Sequence, residues 1–274
     1  MSFRPALIGK WRYLASTLLI LWVVAVIYLP LAMVLVGSFM KFFGMFGIQN
    51  PFTIHHWTLV LGDPAFTKAL QNSLILGFGV ATLGVLVYSL LGYTILRSGF
   101  AGRSTLSLLV WIPWAIPGIL LGLSLLWIFL SIPLFNFLYG TMFVLIFSVI
   151  LKDMPIGTQM FKAAFIQIAE ELEQASRVAG AGPFTTFRRI TIPLVAPMIV
   201  SIFVLVFMSS IRDISTPILL ATPATTPLSV LMLERSVAGE IEKAAVIGVI
   251  LSVLAVITAL VMRRLGFRMG AEPV

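Results

Sequence analysis

A chain of 274 residues that is 60% hydrophobic and 10% charged lies far from the soluble average of roughly 45–50% apolar and about 25% charged. A mean hydropathy of +1.10 and the absence of cysteine exclude a soluble enzyme, a disulfide framework, a thiolate metal site and a cysteine nucleophile. The net charge of +8 comes from 18 Lys and Arg scattered along apolar sequence, which makes no nucleic-acid-reading stripe and is read instead as membrane topology. The expectation is an all-α, polytopic inner-membrane protein forming one transmembrane domain over residues 1–274.

A helix crossing about 30 Å of hydrocarbon needs roughly 20 apolar residues. Leu14 to Gly37 is uncharged for 24 residues and predicts a first span, and Ala69 to Leu96 is uncharged for 28 and predicts a second. Ser104 to Leu151 is uncharged for 48 residues, enough for two crossings, with the break expected at Ser131–Asn136, where Pro133 and Asn136 favour a turn. Ile190 to Ile211 predicts a fifth span and Ala244 to Met262 a sixth. Phe42 to Gly62 carries Gln49, Asn50, Pro51, His55 and His56 and reads as a loop with an interfacial helix. Ile214 to Leu233 carries Pro217, Pro223 and Pro227 among Thr and Ser residues and reads as a loop or re-entrant segment.

Basic residues orient this layout. With both termini inside, twelve Lys and Arg fall in cytoplasmic segments (Arg4, Lys10, Arg12, Arg97, Arg103, Lys162, Arg177, Arg188, Arg189, Arg263, Arg264 and Arg268), against Lys41, Lys68, Arg235 and Lys243 outside. Six spans with cytoplasmic ends follow from that bias. The first apolar stretch is long enough to span, so no cleavable signal peptide is expected.

The cytoplasmic segment between spans four and five, residues 170–193, carries the main signal. Helix formers run from Glu170 to Ala179, Gly180 stands where a left-handed C-terminal residue is wanted, and Gly182 loosens the turn. Pro183 suits the first turn of a second short helix. Phe184 and Phe187 lie three apart on one face of it, Arg188 and Arg189 complement its C-terminal end, and Pro193 is expected to start the next span. Such a helix could plug a partner's groove or lie on lipid headgroups.

This spacing resembles the EAA loop in permease subunits of binding-protein-dependent ABC importers, the type I, molybdate- and maltose-permease-like fold. That loop reads Glu-Ala-Ala, three residues, Gly, nine residues, Ile, one residue, Leu-Pro. Ala175, Gly180, Ile190 and Pro193 keep the spacing. Gln174 stands in place of the Glu, Ser176 of the second Ala and Ile192 of the Leu, leaving Glu173 or Glu171 as carboxylates for the motif's role. Within that family, Arg212-Asp213-Ile214-Ser215-Thr216, and Trp111-Ile112-Pro113 through Ile116-Pro117-Gly118, are similar to ferric-iron permeases; polyamine and aminophosphonate permeases share much of the pattern. The resemblance implies a second permease half, two ATPase subunits, a solute-binding protein at the outer face, and ATP with Mg on the partner ATPase. This chain has no G-x-x-x-x-G-K-[ST] motif, so it is expected to be neither the ATPase nor an enzyme.

Four charges fall in or beside spans. Lys152 and Asp153, with Pro155 and Gly157 expected to open the helix after them, either line a translocation path or form a structural pair bonded to adjacent helices. Arg212 and Asp213 could border the cavity, dock the binding protein or mark the interface. Read as a relay, the same four would serve an ion-coupled secondary transporter, the alternative class. His55 and His56, without cysteine or a carboxylate cluster, give no metal site. Gly77, Gly79 and Gly84, and likewise Gly118 and Gly122, are expected at close helix contacts.

Overall fold

The computed structural model describes residues 9, 11–99 and 101–264, and those residues form helices without a β-ladder. Arg4, Lys10 and Arg268, part of the orientation argument, lie outside them. The first span is a single rod from Trp11 to Ser38, built of α1 (Trp11–Val23), a π-helical turn (Val24–Tyr28) and α2 (Leu29–Ser38). The wide turn has a local cause. Pro30 has no N–H to give the carbonyl four residues back, and its ring crowds that carbonyl, so the helix widens there.

The expected interfacial helix is present as α3 (His55–Gly62), and His55 and His56 open it rather than lying in an open loop. The Asp63 side chain then accepts from the Ala65 N–H at 2.8 Å, and Pro64 occupies a first-turn position of α4 (Pro64–Arg97). That helix is 34 residues long, about 50 Å, well beyond the hydrocarbon thickness.

The long apolar stretch divides differently from the sequence expectation. α5 (Arg103–Ala115) and α6 (Gly118–Ser131) meet at a bend of 105°. The extra break follows from Pro117, which has no N–H and drives Ile116 into an extended conformation. The expected turn near Ser131–Asn136 is also there, leading through a short 3-10 turn (Asn136–Leu138) into α7 (Met142–Ile166). Pro155 does not open α7; the helix runs through it. Tyr88 supports that passage: its buried hydroxyl donates to the Ile150 carbonyl at 2.9 Å. Its ring sits where any Cβ on Gly157 would stand, 2.2 Å from Cδ2.

Beyond α7 come α8 (Glu170–Val178), α9 (Pro183–Thr186), a second π-helical turn (Phe187–Thr191) and α10 (Ile192–Ile211). The span therefore does not start at Pro193. It is continuous from Phe184 to Ile211, and Pro193 widens the preceding turn as Pro30 does in the first span. Ile214–Leu233 does not cross: it forms the single turn α11 (Pro217–Leu220), a loop, and the start of α12 (Leu228–Val237). Last comes α13 (Ile241–Arg264). The described residues thus hold five long apolar helices plus the bent pair, which makes six if that pair is counted as one span.

The core is the packing of α4, α7 and α10, with Leu76, Val80, Leu145, Val149, Phe161 and Ile211 almost wholly enclosed. Small residues allow the contacts the sequence anticipated: the Thr216 carbonyl lies 2.8 Å from the place of a Cβ on Gly122. Asn72, buried on α4, donates to the carbonyls of Ala224 and Thr226 at 3.1 Å each. Ser73 accepts from the Leu228 N–H at 2.7 Å. Together they fasten the non-helical loop to α4. Asn72→Leu should remove both hydrogen bonds to the loop and cost about 1 kcal/mol; thermal denaturation in detergent and faster proteolysis near Thr222 would register it.

Candidate coupling loop and intramembrane charge cluster

Gly180 has φ +84°, the left-handed turn its position requires, and only glycine adopts it without strain. The turn brings α8 against α9, where the Ser176 and Thr186 hydroxyls, both buried, hydrogen-bond at 2.9 Å. Ser176 is one of the three departures from the motif, and here it fastens the two arms of the loop together. Glu171, Gln174, Ala175 and Gly182 are exposed, and Ile190 is half-buried. The side chains of Glu173 and Pro183 lie outside what the structure describes.

The two phenylalanines part company. Phe184 is 74% exposed, whereas the half-buried Phe187 packs edge-on against Tyr93 of α4, ring centroids 4.8 Å apart. Tyr93 in turn meets Phe165 of α7 at 5.7 Å. Phe184 lies in α9 and Phe187 opens the π-helical turn that follows. Arg97, at the end of α4, donates to the carbonyls of Phe165 at 2.8 Å and Ile168 at 2.7 Å, tying down the end of α7 as it enters the loop. Arg188 and Arg189 stay exposed.

The charge cluster lies at the bend between α5 and α6. Counted along the helices, Lys152 is about 20 Å from the Ile166 end of α7, and Ala115 a similar distance from the Arg103 end of α5. Lys152 Nζ is 2.8 Å from Asp213 and 3.6 Å from Asp153. The contact between the two neighbours is thus the weaker one, and Lys152 reaches chiefly to the segment after α10, as the reading of charges bonded to adjacent elements has it. Asp213 is fully engaged. It also accepts from the Ser215 hydroxyl at 2.8 Å and the Thr216 hydroxyl at 2.6 Å, while its carbonyl accepts from Ser229 at 2.7 Å. Asp153 keeps one buried carboxylate oxygen with no hydrogen-bond partner. Arg212 points elsewhere, onto the wall of a cavity between α2, α12 and α13.

A further network was not foreseen. Arg235 pairs with Asp63 at 2.8 Å and Glu240 at 2.9 Å, and Lys243 with Glu240 at 2.6 Å, joining the ends of α4, α12 and α13. The Lys243 hydrogen bond holds the Glu240 carboxyl below its ordinary value, with Arg235 adding to the effect. Nothing in the sequence marks the pairing of Arg235 with Asp63, 172 positions apart, whereas the Glu240 pairs are local.

Comparison with known proteins decides the family. Residues 81–271 match the model described as the binding-protein-dependent transport system inner membrane component. The chain belongs to that family. Among such permeases, the ferric transport system permease protein FbpB of Actinobacillus pleuropneumoniae is 28% identical over 220 residues, covering 78% of this chain and 32% of that protein. The chain thus spans about a third of the length of that ferric permease. The 2-aminoethylphosphonate transport system permease protein PhnV of Salmonella paratyphi A is 23% identical over 96% of this chain and 98% of its own. The spermidine/putrescine permease protein PotC of Escherichia coli K12 is 27% identical over 88% and 90%. A crystal structure of a bacterial ABC transporter importing the acidic polysaccharide alginate has a chain of the same fold, with TM-score 0.74, 22% identity and coverage of 96% and 97%. The permease fold is therefore the one the loop spacing implied.

Two substitutions test the geometry. Asp213→Ala should cost about 3–5 kcal/mol, because it strips Lys152 of its close partner, whereas Asp153→Asn should cost far less; equal losses in thermal denaturation would contradict the assignment of Asp213 as the main partner. Phe187→Ala should cost up to about 3 kcal/mol through the vacated ring site. Phe184→Ala, at an exposed site, should stay within about 0.5 kcal/mol, and the same denaturation measurement compares them.

Proposed function

We propose that this permease is one transmembrane half of an ATP-driven importer, with ferric iron as its cargo, in the bacterial inner membrane. Both its ends lie in the cytoplasm. A second permease half, identical or homologous, completes the path, and a solute-binding protein delivers the cargo from outside. Two ATPase subunits bind ATP and Mg, one of them docking on residues 170–193 of this chain and the other on the second half. The observation that carries the reading is the division of labour in that loop: Phe184 stands free while Phe187 is rooted between α4 and α7.

Mechanical coupling follows from this arrangement. A ring offered to a partner's groove anchors the loop there, and burial of such a ring contributes roughly 1.5–3 kcal/mol. The Ser176–Thr186 bond makes α8 and α9 move together. Since α9 continues without a break into α10, a pull on the loop tilts that span, and Phe187 carries the same displacement to Tyr93 and Phe165. The bend at Ile116–Pro117, beside Lys152 and Asp213, lies where such tilting would alter the path. In this proposal Lys152 and Asp153 face the path, and the buried, unpartnered Asp153 oxygen meets cargo once tilting of the spans uncovers it.

A second cargo, an aminophosphonate, is favoured by one specific observation: the phosphonate permease matches nearly end to end, whereas the ferric relative is about three times longer than its matched part. Polyamine cargo rests on a similar near-full match. Uptake by cells lacking the gene distinguishes these. Labelled ferric iron uptake should be lost, return with the wild-type chain, and fail to return with Gly180→Val, which inserts normally but strains the turn. Loss of phosphonate or polyamine uptake instead would transfer the cargo. Full recovery with Gly180→Val would remove the coupling role, and uptake surviving ATP depletion but not an uncoupler would replace the importer with a secondary transporter.

A further inference from the structure

Arg212 caps the end of α10 and opens onto a cavity of about 720 Å³. Residues of α2, α12 and α13 line it from Ile241 to Val256, about 22 Å along α13. Among the described residues, no carboxylate pairs with Arg212. Its neighbour Asp213 is turned the other way, held by Lys152, Ser215 and Thr216. The acidic residue on α13 nearest the cavity, Glu242, accepts from the Phe43 N–H at 2.6 Å. Arg235 and Lys243, two of the other cations at this end of the bundle, are already paired with Asp63 and Glu240. The lining contains no Asp or Glu, so its one formal charge is the guanidinium.

Arg212 is exposed at the end of α10, so its guanidinium is open to a ligand entering the cavity. Its planar fork presents two parallel donors, which match two oxygens of a phosphoryl, phosphonyl or carboxylate group better than they match a point charge. The cavity supplies a further donor in the Ser236 hydroxyl, which holds no bond to another side chain, whereas Ser229 and Ser252 already donate to the Asp213 and Gly248 carbonyls. The remaining walls are Leu, Val, Met, Ala and Ile. The volume falls within the range of small-ligand sites.

We propose that Arg212 makes this cavity a binding site for a phosphate-type anion, its oxygens held by the guanidinium and Ser236. Two sources share that chemistry: the headgroup of an anionic phospholipid and a phosphonate or phosphate solute. The solute source rests on the permease reading; the lipid source stands without it.

The full chain, purified and placed in nanodiscs of neutral lipid, tests the proposal by titration with phosphatidylglycerol and, separately, with methylphosphonate and inorganic phosphate. Binding is read by native mass spectrometry and by the shift in denaturation temperature. Wild type should bind one of these probes, and Arg212→Gln should weaken that binding about tenfold or more. Arg212→Lys, which keeps the charge but loses the fork, should fall between them, and it covers the case in which Arg212→Gln fails to fold. Binding of phosphatidylglycerol alone assigns the site to lipid, and binding of the soluble anions assigns it to solute. Binding of neither by the wild type, or equal binding by wild type and both variants, overturns the proposal.

Discussion

The ion pair of Lys152 with Asp213 joins two parts of the chain that helical packing alone would leave separate. Lys152 belongs to a continuous span, α7; Asp213 begins the non-spanning segment that follows α10. In hydrocarbon neither charge can be left to solvent, so the pair fixes where the segment folds back. Ser215 and Thr216, which complete the shell of Asp213, bring the backbone against Gly118 and Gly122 of α6. The bend between α5 and α6, the turn α11 and the middle of α7 all converge on this pair. Asn72 and Ser73 of α4 secure the other end of the segment.

Proline shapes what the charges then hold. Pro30 and Pro193 each follow a π-helical turn, and Pro117 breaks a span outright. The difference lies in what surrounds them. Where the helix can widen and continue, the freed carbonyl stays within the rod; where a charge cluster awaits, as beside Gly118, the chain turns. The turn before Pro193 opens at Phe187, which packs inward on Tyr93 while Phe184 remains outside. The loop thus presents an exposed ring and an inward-packed ring three residues apart.

Fold class and the outline of the spans were legible because hydrocarbon imposes a period-free rule: roughly 20 apolar residues cross, and shorter or proline-rich runs do not. The turn at Gly180 was legible too, since a left-handed position admits few residues, and the spacing Gly180, Ile190, Pro193 carried the family. The bend at Ile116–Pro117 was not, because an uncharged run of 48 residues contains several prolines and no local rule ranks them.

The sequence by itself determined that charges at 152, 153, 212 and 213 lie in or beside apolar spans, and that a glycine-pivoted loop joins two of those spans. Only the tertiary structure decided their partners. Lys152 leans to Asp213 rather than its neighbour, Arg212 turns to a cavity without acids, and Arg235 reaches Asp63 across 172 positions. A side chain's company depends on which helices pack together and how each is rotated. That rotation is set by non-local contacts such as Tyr88 against Gly157 and Phe187 against Tyr93, which no stretch of sequence encodes alone.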